Sequence, residues 1–280
     1  MTGLDVRMKK YEYVTRDYLV RRTPVIIRID GKAFHTFTKG FEKPYDLRFN
    51  EAMQRTMKYL CENVEGCIMG YTQSDEITLV LCDYKKITSQ AWFNDNIQKM
   101  CSVSASLATL EFNRAFAEIV SNWEDDTFPT FSFGEEGVVD EEGYAKFQKL
   151  SDAYSKAIMR GAMFDSRVFN IPKEEVNNCL LWRQQDATRN SIEALAQANF
   201  SHKSLEGLSC DELQDKLFTE RGINWNNCPT SQKRGCCCIK VQETAINPKG
   251  EEYTRSKWVI DTEIPIFSKD TDYVNKRITF

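Results

Sequence analysis

The hydrophobic positions of the chain follow two rhythms, and their order sketches a fold. After Thr23-Pro24 the run Val25 to Ile29 is short, continuous and β-branched, which predicts a buried strand. From Leu47 to about Val64 the apolar residues Phe49, Met53, Met57, Leu60 and Val64 step by four or three, as one face of a helix requires. Asp46 stands where that helix needs its cap, and Gly66 follows its end. Two short apolar runs, Cys67 to Tyr71 and Ile77 to Leu81, flank the polar Gln73-Ser74-Asp75-Glu76 and predict a β-hairpin with Met69 and Tyr71 in the core. Ser89 to about Val120 reads as helix, and its small residues from Ser102 to Ala108 suit close packing on a sheet. Asn122 to Gly143 is acidic, holds Pro129 and three glycines, and reads as irregular. Tyr144 to Arg160 is helical again, and Phe164 to Ile171 forms a fourth strand that stops at Pro172.

The order β-α-β-β-α-β is the split βαβ, or ferredoxin-like, arrangement of an α+β palm. Right-handed crossovers bring the first strand beside the hairpin. The expected organisation is a palm over residues 1–172, with an insertion at about 122–163, followed by a mainly helical region over 173–280. In that second region Lys173 to about Ala198 is helical. Cys210 to Glu220 forms another helix, opened by a capping box of Ser209 and Glu212. Pro229 and Gly235 punctuate a loop, and Cys236 to Val241 and Trp258 to Asp261 are short strand candidates.

Composition narrows the class. The chain has 280 residues, 41% hydrophobic and 28% charged, which suits one large or two moderate globular domains. No apolar run approaches the roughly 18–20 residues of a membrane span. The first ten residues lack the apolar core of a signal peptide, so a cytoplasmic protein is expected. Ten cysteines include no C-x-x-C pair, and the two histidines, His35 and His202, lie far apart, so reduced and mostly buried thiols are expected rather than zinc or disulfides. The net charge of −4 argues against nucleic-acid binding by bulk charge. The distribution is uneven: acids crowd 124–142, while Arg183, Arg189, Lys203, Lys216, Arg221, Lys233 and Arg234 recur later. A basic face and an ordinary solvated mixture both fit that pattern.

Two carboxylates stand where strands end. Asp30 closes V-I-I-R-I-D-G, and Asp75 sits in the hairpin turn. Either alone is an ordinary turn acid. Together, in a topology that makes their strands neighbours, they suit two Mg²⁺ ions, which prefer oxygen ligands and substrate phosphates. Gly31 would let a metal or phosphate approach the backbone, and the amides of Lys32-Ala33-Phe34-His35 could form an anion nest. Lys43 could meet a phosphate or be solvated. His35 could be a base or a stacked side chain, and positioning is the better role beside two metals.

These residues carry a family resemblance. R-I-D-G-K-A-F-H-T-F-T at Arg28 to Thr38, K-P-Y-D at Lys43 to Asp46 and Q-S-D-E at Gln73 to Glu76 resemble the tRNA-histidine guanylyltransferase family. So do F-D-S-R-V at Phe164 to Val168, W-R-Q-Q-D at Trp182 to Asp186, L-x-G-L-S-x-x-E-L-Q at Leu205 to Gln214, and K-R-G at Lys233 to Gly235. The stretch Asn122 to Met163 is longer than the family pattern. The resemblance implies a palm that adds nucleotides to a tRNA 5′ end. Asp30, the Gly31 carbonyl and Asp75 would hold two Mg²⁺. Lys32, Ala33, Phe34 and His35 would cradle a nucleoside triphosphate, with Ser74, Glu76 and Lys43 at the reacting phosphates. ATP would activate a 5′-monophosphate, and the 3′-hydroxyl of GTP or another nucleotide would then attack it. The resemblance also implies a homotetramer.

Two departures matter. Tyr45 replaces the Asn of the usual K-P-N-D, and Ala187-Thr188-Arg189-Asn190 stands where eukaryotic members carry H-I-N-N, with only Asn190 in common. This resembles the like-protein branch, which repairs 5′-truncated tRNA against the opposite strand. Arg183, Arg189, Asn190, Lys203 and Lys216 are the expected tRNA contacts. A nucleotidyl cyclase-like palm and a non-catalytic RNA-binding module are the rival readings.

Overall fold

The computed structural model describes residues 3–131, 133–134, 137–138, 140–247 and 250–280. The first half runs α1 (Gly3–Tyr13), β1 (Val25–Gly31), α2 (Phe34–Phe37), α3 (Leu47–Asn63), β2 (Cys67–Gln73), β3 (Glu76–Leu81) and α4 (Ile97–Thr127). Two two-residue strands, β4 (Phe133–Gly134) and β5 (Gly137–Val138), precede α5 (Glu141–Arg160) and β6 (Phe164–Asn170). The second half runs α6 (Val176–Asn199), α7 (Cys210–Arg221), α8 (Thr230–Arg234), β7 (Cys236–Ile246), β8 (Glu252–Asp261) and α9 (Asp272–Ile278).

Six strands form one antiparallel sheet in the order β6-β1-β3-β2-β7-β8. Its first four strands, with α3 and α4 between them, are the expected palm. Alternation along β1 sends Ile27 and Ile29 to one face and Ile26 to the other. The first face packs on α3 and α4 through Phe49, Met53, Met57, Phe112 and Phe116. The second carries Ile26, Met69, Tyr71 and Val80 against Val176 and Leu180 of α6 and Val274 of α9. Small residues let α4 approach the sheet: Ala108 is fully buried, and Ser104 shares a 2.7 Å hydrogen bond with Ser166 of β6. Asp46 caps α3 by accepting from the Phe49 amide at 3.0 Å, and the capping box of Ser209 and Glu212 opens α7.

Three expectations change. Helix α4 starts at Ile97, not Ser89, because Phe93, Asn94 and Asp95 all take positive φ and break the backbone before Asn96 caps the helix. The helix then runs on to Thr127, and α5 begins at Glu141 behind its Asp140 cap, so much of the expected irregular insertion is helical. Residues 132, 135, 136 and 139 of that insertion lie outside the described residues. Finally, 173–280 is not a helical region set apart from the palm. The apolar run Cys236 to Ile239 is buried on both faces and pairs with β2, so β7 and β8 continue the palm sheet, and no boundary at 172 divides it.

All ten cysteines are free, six of them buried. Among the described residues no helix is long and apolar enough to cross a membrane.

Candidate active site

The palm register builds the site. Strands β1 and β3 pair with Asp30 opposite Glu76, so the Ser74–Asp75 turn lies against the end of β1. The Gly31 amide donates to the Asp75 carbonyl at 3.0 Å. Ser74 takes φ +48° to close the turn and donates its hydroxyl to Asp75 Oδ1 at 3.1 Å. Burial pushes the Asp75 carboxyl above the usual carboxylate range, and the charge of Asp30 pushes it further. The Asp75 backbone amide and Ser74 oppose the rise, and among the described residues Asp75 forms no ion pair.

Glu76, one residue on, has the opposite surroundings. Arg183 Nε donates to its Oε1 at 2.7 Å, and both side chains are buried. Burial raises the Glu76 carboxyl, and the Arg183 charge acts against that rise. Arg183 also holds Asp186 at 2.7 Å, and Asp186 in turn pairs with Arg189 and accepts from Asn190 at 3.4 Å. Trp182 lies over this network, with the Arg183 guanidinium 4.4 Å and the Arg28 guanidinium 5.5 Å from its ring centre. Arg28 Nε is buried without a hydrogen-bond partner.

Two cavities meet at the turn. The larger, about 520 Å³, is lined by Gly31, Ala33, His35, Lys43, Ser74 and Asp75. Helix α6 closes it with Ala187, Asn190 and Ser191. The smaller, about 360 Å³, is bounded by Arg28, Asp30, Glu76, Trp182, Arg183 and Asp186. Ser74, Asp75 and Asn190 line both.

The loop after β1 explains its own sequence. Ala33 is left-handed (φ +56°), and the turn that follows leaves the amides of Ala33, Phe34 and His35 without a backbone acceptor among the described residues. Successive free amides in that conformation make an anion nest. The Phe34 ring points the other way, into a cluster with Phe37, Phe49, Phe112 and Phe164. A Cβ on Gly31 would come within 2.4 Å of that ring, so the position accepts only glycine without rearrangement.

The model of the tRNAHis guanylyltransferase family matches residues 5–172, more than half of the chain. The chain belongs to that family. A bacterial tRNA(His) guanylyltransferase-like protein solved in complex with ATP superposes with a TM-score of 0.77 at 41% identity, covering 99% of both chains. The corresponding complex with GTP gives 0.74 at 38% identity over the whole of both chains. Among sequence relatives, the tRNA(His) guanylyltransferase of Candida glabrata is 28% identical over 81% of this chain and 88% of its own. An uncharacterized protein of Acanthamoeba polyphaga mimivirus is 28% identical over 98% of this chain and 87% of its own. The protein is therefore a nucleotidyltransferase on a palm-type fold.

Several expected residues of this guanylyltransferase-family chain sit differently from the sequence reading. The Lys32 amide donates to the Met163 carbonyl at 2.8 Å, so it leaves the nest to its three successors. Phe34 contributes its amide alone. Glu76 borders the smaller cavity, but its carboxylate is held in the ion pair with Arg183. Arg183 is buried under Trp182 and is not an RNA-facing surface cation, because its guanidinium is divided between Glu76 and Asp186. Lys216 pairs with Glu220 at 2.6 Å, Arg189 is exposed but paired, and Lys203 is exposed in the turn His202–Ser204, outside both cavities.

Tyr45, the departure in K-P-Y-D, ties the Lys43 loop to α6. Its hydroxyl lies 2.9 Å from the Ser191 carbonyl and 2.7 Å from Ser191 Oγ, which also accepts from the Trp225 indole at 3.0 Å. Trp182, Asp186 and Gly235 stood in the motifs W-R-Q-Q-D and K-R-G, but the sequence reading gave them no place in the site. The signal for Gly235 was present: it takes φ +78°, and a Cβ there would meet the Thr72 carbonyl at 2.3 Å.

Proposed function

We propose that the protein is a magnesium-dependent 3′-5′ nucleotidyltransferase that repairs 5′-truncated tRNA against the opposite strand, using ATP to activate a 5′-monophosphate. One observation carries this reading. One cavity brings Lys43 and three amides that lack a backbone acceptor among the described residues together with the Asp75 carboxylate, which forms no ion pair there, and Asp30 lines the adjoining cavity. The amides and Lys43 suit a triphosphate, and the Asp75 carboxylate suits a divalent cation brought with it.

The donor set suits magnesium: two carboxylates and backbone carbonyl oxygen. Among the described residues no group of three or more His, Cys, Asp or Glu forms a closed cage, and magnesium prefers to complete its shell with phosphate and water. Asp30, the Gly31 carbonyl and Asp75 would hold it. Bound there, magnesium supplies phosphate neutralisation and a more acidic attacking hydroxyl. The chain itself does the rest. The amides of Ala33, Phe34 and His35 orient the triphosphate, Lys43 and Ser74 face the reacting phosphates, and His35 positions the nucleotide. Glu76 acts from behind, fixing the hairpin through Arg183.

The bacterial relative's complexes with ATP and GTP support both nucleotides as substrates. Loss of H-I-N-N at 187–190 supports repair of several tRNAs over selection of the histidine tRNA. A cytoplasmic homotetramer completes the reading and rests on the resemblance.

The test is incubation with labelled nucleotides, magnesium and a 5′-truncated tRNA whose opposite-strand base is varied, read by product length. The expected result is addition of the complementary nucleotide to more than one tRNA. Addition confined to the histidine tRNA regardless of the opposite base overturns the repair reading. A cyclic nucleotide formed from ATP or GTP without RNA overturns tRNA as substrate.

A further inference from the structure

The β2–β3 hairpin has a second end. Opposite the Ser74–Asp75 turn, where β2 begins and β3 finishes, lies a cleft of about 420 Å³. Lys85 from the segment after β3, Lys240 from β7, and Lys276 and Arg277 from α9 converge on it, against a single acidic side chain, Glu65. Each of the three lysines lies over an aromatic ring: Lys85 Nζ is 5.2 Å from the Phe280 ring centre, Lys240 Nζ 4.7 Å from that of Trp258, and Lys276 Nζ 5.9 Å from that of Tyr273.

These cations differ from those on α6 and α7. Arg183, Arg189 and Lys216 are each spent on a carboxylate of their own neighbourhood. Among the described residues, none of Lys85, Lys240, Lys276 and Arg277 forms an ion pair; Arg277 instead donates to the Tyr273 carbonyl. Four like charges brought together from three elements repel one another, and a chain of net charge −4 has carboxylates to spare for pairing them. Their arrangement suits an external polyanion. The seven residues of β2 separate the cleft from the Ser74–Asp75 turn by about 20 Å at ~3.3 Å per residue. A single nucleotide cannot bridge that distance, whereas an RNA with its 5′ end at the turn presents a row of backbone phosphates along it.

We propose that the cleft between Lys85, Lys240 and Lys276 is an RNA-backbone site that holds the substrate's phosphates away from the reacting end. The proposal rests on tRNA being the substrate. It assigns phosphate contacts, which set register and affinity but carry no base specificity.

The experiment compares the wild-type chain with the triple variant Lys85→Ala, Lys240→Ala, Lys276→Ala, and with the triple Lys→Arg variant. tRNA affinity is measured across a salt series, and ATP affinity alongside. Each lost phosphate contact lowers the slope of log affinity against log salt by about 0.7–0.9, so the Ala variant is expected to lose about two to three units. Its tRNA affinity at low salt should fall at least tenfold, with ATP affinity unchanged and the Arg variant close to wild type. An unchanged slope in the Ala variant, with wild type still adding nucleotides to tRNA, overturns the cleft and leaves the repair reading standing. Loss of ATP affinity with an unchanged tRNA slope also overturns it, by making the cleft a nucleotide site. Wild type that neither binds nor extends tRNA overturns both.

Discussion

Asp75 and Glu76 are neighbours in the chain and opposites in surroundings. Both carboxyls are raised by burial, but Glu76 has Arg183 at 2.7 Å, whereas Asp75 has neutral donors and the like charge of Asp30 and forms no ion pair among the described residues. Asp75 stands in the turn and Glu76 opens β3, so one step along the backbone separates the carboxylate that reaches the larger cavity from the one that Arg183 of α6 holds. A buried charge that the fold has already paired is scaffold. One that it leaves beside a like charge, at a cavity and an anion nest, is what the proposed magnesium site requires. The two kinds of acid therefore fail differently when changed.

The largest effect is expected at the unpaired acids. Asp30→Ala and Asp75→Ala should each lower nucleotide addition by several orders of magnitude while circular dichroism shows the fold intact, because phosphate neutralisation and nucleophile activation are lost together. Near-normal turnover in either variant breaks the comparison. At the paired acid the loss is structural. Arg183→Ala strands Glu76 without a partner and should cost about 3–5 kcal/mol in denaturant unfolding, as removal of one member of a buried pair does. A change within 1 kcal/mol would show the pair to be dispensable.

The third effect has the opposite sign. Asp75 has a folded pKa above its unfolded value, so protonation favours the folded state. That contribution is complete below the ordinary value of 3.8 and is lost as pH rises through the raised one. At neutral pH the ionised group is a cost, and Asp75→Asn should melt above wild type, by a margin that closes as pH falls. A variant that melts lower at pH 7 removes the argument that Asp75 is uncompensated. The smallest effect is at Arg189, an exposed partner of Asp186. Arg189→Ala should shift stability by no more than about 1 kcal/mol, measured by the same unfolding.

What could be read from the chain followed from local pattern. The period of Phe49, Met53, Met57 and Leu60, with Asp46 before it, marks α3, and Ser209 with Glu212 marks α7. The hairpin and the strand-end positions of Asp30 and Asp75 were legible because polar turn residues interrupt apolar strands. The Arg183–Glu76 pair was not, because it joins residues 107 apart and nothing local distinguishes it from a surface arginine. The length of β7 and β8 was hidden for another reason. Beyond Ile239 the two strands pair mainly with each other, largely exposed, so their ladder of Lys240 to Ile246 against Glu252 to Trp258 leaves no hydrophobic run. The start of α4 was misplaced because Trp92 and Phe93 look helical, while the positive φ of three successive residues is invisible in composition.

The most direct test measures ATP affinity with and without Mg²⁺ in wild type, Asp75→Asn and Arg183→Lys. An uncompensated carboxylate pair predicts that Mg²⁺ tightens ATP binding strongly in wild type and in Arg183→Lys, and that Asp75→Asn loses most of that enhancement while still folding. Equal Mg²⁺ enhancement in wild type and Asp75→Asn would contradict the account, since the cation would then be held somewhere other than beside Asp75.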